Sequence, residues 1–341
     1  MRKALLLLFF MTVPALACGC KDAPAVETVQ AQSPAPAAAS VEFALDVTPS
    51  PTPVPTPEPT ATPLPTPEPE SFTVAWIADT QFISSLYPDT LTRMLAWCAA
   101  NADSRKIKLV LHTGDIVNDF ESRRQWEDAG GDFALLSGKV PFLAVCGNHD
   151  VGTSTITYTR FKKNIASLYP DPSILFDGGR GGYSIVESDG RKFLFLGTGW
   201  GYNDESIAYL NQVLKSHADC TAVLVLHSYL NENGSRTDGG DIIFENVVKK
   251  NANVRMVVCG HRDGAARHEE EIDDNGDGTA DRTVHELLYN YQGERANDGG
   301  GFLRLLTFVP AAHSVSVETY SPPLDEFITD ESACFTVENA F

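Results

Sequence analysis

Positive charge is what this sequence has least of: 26 Lys and Arg stand against 45 Asp and Glu, a formal net charge of −19. No basic block relieves that acidity. Non-specific nucleic-acid binding, which depends on neutralising phosphates with Lys and Arg, is therefore not expected. A phosphate-bearing substrate stays open, because bound cations can supply positive charge locally. Cysteine is also sparse. Of the seven, Cys18 and Cys20 fall in an N-terminal export-type segment, leaving Cys98, Cys146, Cys220, Cys259 and Cys334. An odd number at wide spacing is no disulfide framework, and Cys146 and Cys259, each at the end of an apolar run, read as small core filler. The N-terminal apolar stretch Ala4–Val13 is too short to span a bilayer. Proline-rich breaks are missing after residue 70, so residues 71–341 read as one domain.

What is present begins with a targeting segment. Arg2-Lys3 precede the apolar stretch, and small residues follow to Ala17, the pattern of a signal peptide over residues 1–20. Ala15-Leu16-Ala17-Cys18 resembles a bacterial lipobox, with Ala15 where Leu or Val is usual. Cleavage before Cys18 would leave a lipid-modified N-terminus. The chain is expected to be exported, either lipid-anchored at the outer face of the bacterial cytoplasmic membrane or secreted outright, with the anchor its only membrane contact. Residues 21–70 hold thirteen of the 21 prolines, many in Pro-Thr-Pro and Pro-Glu-Pro steps. Such a stretch cannot build a core and favours extended polyproline II, a disordered stalk. At ~3.1 Å per residue it could reach roughly 150 Å.

Within the domain, five apolar runs each stop at a residue type that binds metals. Ser71–Ala78 runs into Asp79-Thr80-Gln81, and Ile107–Thr113 into Gly114-Asp115. Pro141–Cys146 runs into Gly147-Asn148-His149-Asp150, Thr221–Leu226 into His227, and Val254–Cys259 into Gly260-His261-Arg262-Asp263. Polar groups that no core needs, delivered at the ends of neighbouring strands, converge on one crevice. Between these runs, Leu91, Met94, Leu95 and Cys98 recur at helical spacing, as do Trp126, Ala129, Phe133 and Leu136, and Ile207, Leu210 and Leu214. Beyond Thr283 the pattern is strands alone: Val284–Tyr291, Phe302–Val309 and Ser314–Tyr320. An α/β fold with two sheets face to face and helices outside accommodates both halves.

The ordered motifs Asp79-Thr80-Gln81, Gly114-Asp115, Gly147-Asn148-His149-Asp150, His227 and Gly260-His261-Arg262-Asp263 resemble those of calcineurin-like metallophosphoesterases. The resemblance covers residues 72 to about 320. It implies a four-layer αββα sandwich of two mixed β-sheets flanked by helices, and two divalent metals (Mn, Fe, Zn or Mg) that hydrolyse phosphate esters. Carried over by position, Asp79, Gln81, Asp115 and Asp263 take the first metal. Asp115, Asn148, His227 and His261 take the second, with Asp115 bridging. The resemblance further implies a bridging hydroxide as nucleophile and His149 as general acid, its ring oriented by Asp150. Asn118 falls where the family often has Asp or Asn, and reads as structural.

Two positions depart from that pattern. The family usually has His where Gln81 and Asp263 stand, and both map to the first metal, which then has only oxygen donors and is expected to prefer a harder ion. The alternative is a silent surface-binding module with a degenerate first site. A further cation candidate is Asp273, Asn275, Asp277 and Asp281, at positions 1, 3, 5 and 9 of an EF-hand-like calcium loop with Gly278 at the turn. Its position 12 is Val284 rather than an acid, and an acidic solvated turn is the competing reading. The segments Thr153–Gly182 and Ser228–Asp241 are expected to shape the cleft. The sequence reads as a hydrolase of phosphomonoesters or phosphodiesters, its partner a phosphate-ester small molecule or lipid headgroup.

Overall fold

The computed structural model describes residues 69–292 and 300–341. The signal segment, the lipobox and nearly all of the proline-rich stretch lie outside the described residues. Seven strands form a first sheet: β1 (Phe72–Ile77), β2 (Ile107–His112), β3 (Phe142–Ala144), β11 (Leu303–Val309), β12 (Ser314–Ser321), β13 (Glu326–Ile328) and β14 (Phe335–Val337). The second sheet holds β4 (Leu175–Phe176), β5 (Gly181–Ser188), β6 (Arg191–Thr198), β7 (Thr221–Leu226), β8 (Val254–Cys259), β9 (Gly264–Ile272) and β10 (Arg282–Asn290). Both sheets are mixed. In the first, β1, β2 and β3 run parallel while β11 returns antiparallel on β1. In the second, β6, β7, β8 and β10 are parallel, with β5 and β9 antiparallel at the flanks.

Alternation along each central strand builds the layers. In β1, Val74 and Trp76 face the second sheet, meeting Phe195, Val225 and Val258 in a core between the sheets. Ala75 and Ile77 point the other way, toward α1 (Pro88–Ala100) and α2 (Arg123–Ala134), whose Leu91, Met94, Leu95, Trp126 and Phe133 cover that face. The second sheet is covered likewise by α3 (Asp204–Ser216), through Leu210 and Leu214, and by Ile243 and Val247. Strands buried on both faces read as unbroken apolar runs, which is why their ends were legible. The architecture is the expected αββα sandwich. Pro88 opens α1 at its first turn, where a missing N–H costs nothing.

The hairpin β5–β6 and the long β9 were not anticipated. β9 carries Arg267-His268-Glu269-Glu270-Glu271 at the sheet edge, where charge blunts an open strand. The acidic stretch Asp273–Asp281 is the β9–β10 connection. There Asp273 accepts from Gly276 N (2.6 Å) and Gly278 N (2.7 Å), and Asp281 from Asp274 N (2.8 Å) and Asn275 N (3.1 Å), so backbone amides close this loop.

Candidate metal centre

The carboxyl ends of β1, β2, β3, β7 and β8 point to one place. Asp79, Asp115 and His261, each at the first turn past a strand, adopt left-handed φ of 52°, 54° and 73°. Such backbone is costly for residues with a Cβ and persists where the surroundings over-determine it. Two glycines make room. A Cβ on Gly147 would lie 2.1 Å from Asp115 Oδ1, and one on Gly260 2.1 Å from Asp79 Oδ2. The glycines in Gly-Asn-His-Asp and Gly-His are thus required by close approach of carboxylates.

One half of the site is a knot of potential ligand atoms. His227 Nδ1 donates to the Thr113 carbonyl (2.9 Å), which turns Nε2 toward the cleft. That Nε2 lies 3.1 Å from Asn148 Oδ1, 3.1 Å from His261 Nδ1 and 3.4 Å from Asp115 Oδ2. The ligand atoms of Asp115, His227 and His261 all fall within 4.8 Å of one another. Burial alone would lower the His227 imidazole, but Asp115 and Asp79 outweigh it and push His227 up to about 9. Burial drives Asp79 well above the carboxylate range, against the pull of His227. Burial also works on Asp115, yet His227 and the His149 amide hold it below its ordinary value. Buried carboxylates and imidazoles at this spacing call for a shared cation, and the donor set suits one.

The other half contains Asp79 and Gln81. Both Asp79 oxygens accept from His261 N at 3.0 Å. The Gln81 amide satisfies its neighbours with Nε2 turned toward Gln292 Oε1 (2.8 Å), the Asp79 carbonyl (3.1 Å) and the Asp115 carbonyl (3.2 Å). Its oxygen then accepts from Gln292 Nε2 (2.8 Å) and takes the place facing Asp115 Oδ2, where the opposite orientation would put Nε2 at 3.3 Å. Two oxygens facing each other there suit two ligands of one hard cation. Asp115 therefore stands between both halves. Asp263 is the outlying member: its side chain is exposed, and among the described residues it bonds only Asn290 Nδ2, at 3.5 Å.

The expected pairing of Asp150 with the His149 ring is not formed. His149 Nδ1 instead donates to the Asn118 carbonyl (3.0 Å). Asp150 is buried beneath, accepting from Val117 N (2.9 Å) and Gly147 N (2.8 Å), where it ties the β2 and β3 loops together. Burial and the Asp115 charge lift it to about 7. A short carboxylate one residue past His149 on a single helical turn cannot fold back on that ring, whereas the Asn118 backbone passes beside it. His112, fully buried, accepts from Gly114 N (3.2 Å) through Nδ1 and meets Thr80 Oγ1 (3.0 Å) through Nε2, so it braces two of the ligand loops.

Beside the centre lies a cavity of about 680 Å³, lined by Trp200, Tyr202, Ile207, Ile242, His261 and Arg262 among others. Trp200 packs edge-on against His227 (5.9 Å between ring centroids) and lies 5.3 Å from the His261 ring. Sequence reasoning missed it. The signal was the continuous apolar run Phe193–Leu196 within β6, a strand buried on both faces that delivers Trp200 to the cleft as the other strands deliver ligands. The Ser228–Asp241 segment contributes as expected, through residues such as Ser228, Asn231 and Thr237, while no described residue of Thr153–Gly182 lines this cavity.

Comparison with known proteins agrees with this geometry. Residues 72–262 match the family described as Calcineurin-like phosphoesterase. The chain is 41% identical over 256 residues to the uncharacterized protein YvnB of Bacillus subtilis (strain 168), covering 74% of this chain and 20% of that protein. It is 27% identical over 166 residues to a protein of Moraxella catarrhalis (strain BBH18) named "Probable cyclic nucleotide phosphodiesterase", covering 45% of this chain and 57% of the relative. The chain thus spans a fifth and just over half of these two curated relatives. Among solved structures, a purple acid phosphatase from yellow lupin (Lupinus luteus) seeds superposes with a TM-score of 0.52 at 13% identity, over 79% of this chain and 54% of that one, a likeness of fold. With the family's description matching more than half the sequence and the strand-end cluster in place, the chain belongs to the calcineurin-like phosphoesterase family.

Proposed function

We propose that this chain is an exported, metal-dependent hydrolase of phosphomonoesters or phosphodiesters. The observation that carries this reading is the convergence of Asp115, Asn148, His227 and His261 from both sheets, with the other three ligand atoms 3.1–3.4 Å from His227 Nε2. That set would hold one divalent ion, and Asp79, Gln81 and Asp115, with Asp263 at the rim, a second and harder one. Two such ions would lend positive charge to a phosphate and lower the pKa of a water. The protein's own part is to position and protonate. His149, anchored by Nδ1 to the Asn118 carbonyl, keeps Nε2 for delivering a proton to the departing alkoxide. Arg262, exposed at the cavity rim, is placed to meet a phosphate oxygen. Trp200, Tyr202, Ile207 and Ile242 offer an apolar wall to the organic part of the ester. The name of the Moraxella relative makes phosphodiesters the first class to try. The Arg2-Lys3 and Ala4–Val13 pattern supports export, with lipid anchoring at Cys18.

Turnover of p-nitrophenyl phosphate and bis-p-nitrophenyl phosphate, with and without Mn²⁺, tests the reading. We expect metal-dependent hydrolysis that falls about 10²–10⁴-fold in His149→Ala while bound metal is retained. Metal-independent rates, or a His149→Ala variant as active as the parent, would overturn it.

A further inference from the structure

We propose that Asn290 and Gln292, at the end of β10, form an amide clamp that positions Gln81 and Asp263, the two oxygen donors standing where this family usually carries His. The proposal rests on the metal-holding reading above and adds two positioning residues to it. The Gln292 carboxamide lies against that of Gln81, with each Nε2 2.8 Å from the other's Oε1 and the two oxygens 2.9 Å apart. Asn290 donates from Nδ2 to Asp263 Oδ1 (3.5 Å) and accepts from Gln292 N through Oδ1 (3.0 Å). One three-residue stretch therefore touches both departures from the family pattern. The β9–β10 register puts Asn290 opposite Gly264, directly after Asp263.

The chemistry explains why these donors need help. An imidazole presents its nitrogen from a flat ring with two side-chain torsions. A carboxamide has a third torsion and two ends of similar shape, and only the oxygen can face a cation. The Asp79 and Asp115 carbonyls, which can only accept, take the Gln81 Nε2 at 3.1 and 3.2 Å and leave its oxygen toward Asp115, and Gln292 holds the amide in that orientation from the other side. Asn290 is 0% exposed at a strand position where an apolar side chain would pack at lower cost, which a positioning role accounts for. Partners that orient metal ligands in this way typically alter affinity 10–100-fold.

Metal content by mass spectrometry and Mn²⁺ affinity by calorimetry test the clamp. The proteins are the parent chain, Gln292→Met, Asn290→Ala and the double variant Gln81→His/Gln292→Met, with folding checked by melting temperature. Gln292→Met keeps the side chain's length and loses both polar ends. We expect it to weaken one Mn²⁺ equivalent about 10–100-fold and to leave the equivalent held by the His227 and His261 set unchanged. Asn290→Ala should act on the same equivalent. The double variant should regain it, because an imidazole needs no amide partner; a general packing defect would not be rescued this way. Unchanged affinities in Gln292→Met, or equal loss of both equivalents without rescue, overturn the clamp while the hydrolase reading stands. A parent chain that binds no divalent ion overturns both.

Discussion

At the scale of single residues, the site is held by what glycine leaves out. A Cβ on Gly260 would sit 2.1 Å from Asp79 Oδ2, and no flexible side-chain end is available to yield: Asp79 is 1% exposed and both its oxygens are fixed by His261 N. Gly260→Ala should therefore displace Asp79. We expect loss of metal affinity and turnover with only ~1–3 kcal/mol of stability lost, the range for local overpacking. A variant that binds metal as the parent does would show that Asp79 has room to move. The identities of Asp79, Asp115, Asn148, His227 and His261 were legible because each interrupts an apolar run with a group no core needs. The partner of His149 was not. Whether Asp150 or the Asn118 carbonyl reaches that ring depends on how two loops cross, and residues 118 and 149 lie 31 positions apart.

At the scale of elements, the loop after β7 is fixed by a buried ion pair. Glu286 of β10 is 0% exposed and accepts from Tyr229 OH (2.7 Å), from Arg236 Nε (3.0 Å to each oxygen) and from Arg236 Nη2 (2.8 Å). Arg236 also lies 3.5 Å over the Phe244 ring and lines the cavity beside His261. Removing one partner of a buried pair leaves the other's charge uncompensated, so Arg236→Met should cost ~3–5 kcal/mol. The double change Arg236→Met/Glu286→Leu should recover part of that. Denaturant unfolding reads both, and a single variant within ~1 kcal/mol of the parent would count against the pair as a structural clamp. The central strands β1, β2, β7 and β8 could be read from sequence because helices cover their outer faces and leave continuous apolar runs. β9 could not be, since its residues face solvent at an edge and carry charge instead of pattern.

At the scale of the whole molecule, the centre adds polar ligands to a junction between two sheets that is otherwise mainly an apolar core, with a few polar links such as Tyr289 OH to the Phe302 carbonyl and Arg304 to the Leu288 carbonyl. Asp79, Asp115 and Asn148 come from loops of the first sheet; His227, His261 and Gln292 come from the second. Divalent ions held there would tie the halves of the sandwich together and relieve the buried Asp79 and Asp115 charges, which lie near enough to raise Asp79. Binding to the folded chain alone stabilises it by mass action, ~2.7 kcal/mol at a hundredfold excess over Kd. For a domain of this size that corresponds to roughly 5–10 °C in Tm. Chelator-stripped protein should therefore melt lower than metal-loaded protein, and Tm should climb with the logarithm of free Mn²⁺. Asp115→Asn, which weakens the ligand shared by both halves, should flatten that climb. A melting temperature indifferent to every divalent ion tried would mean that the strand ends converge without a cation to hold.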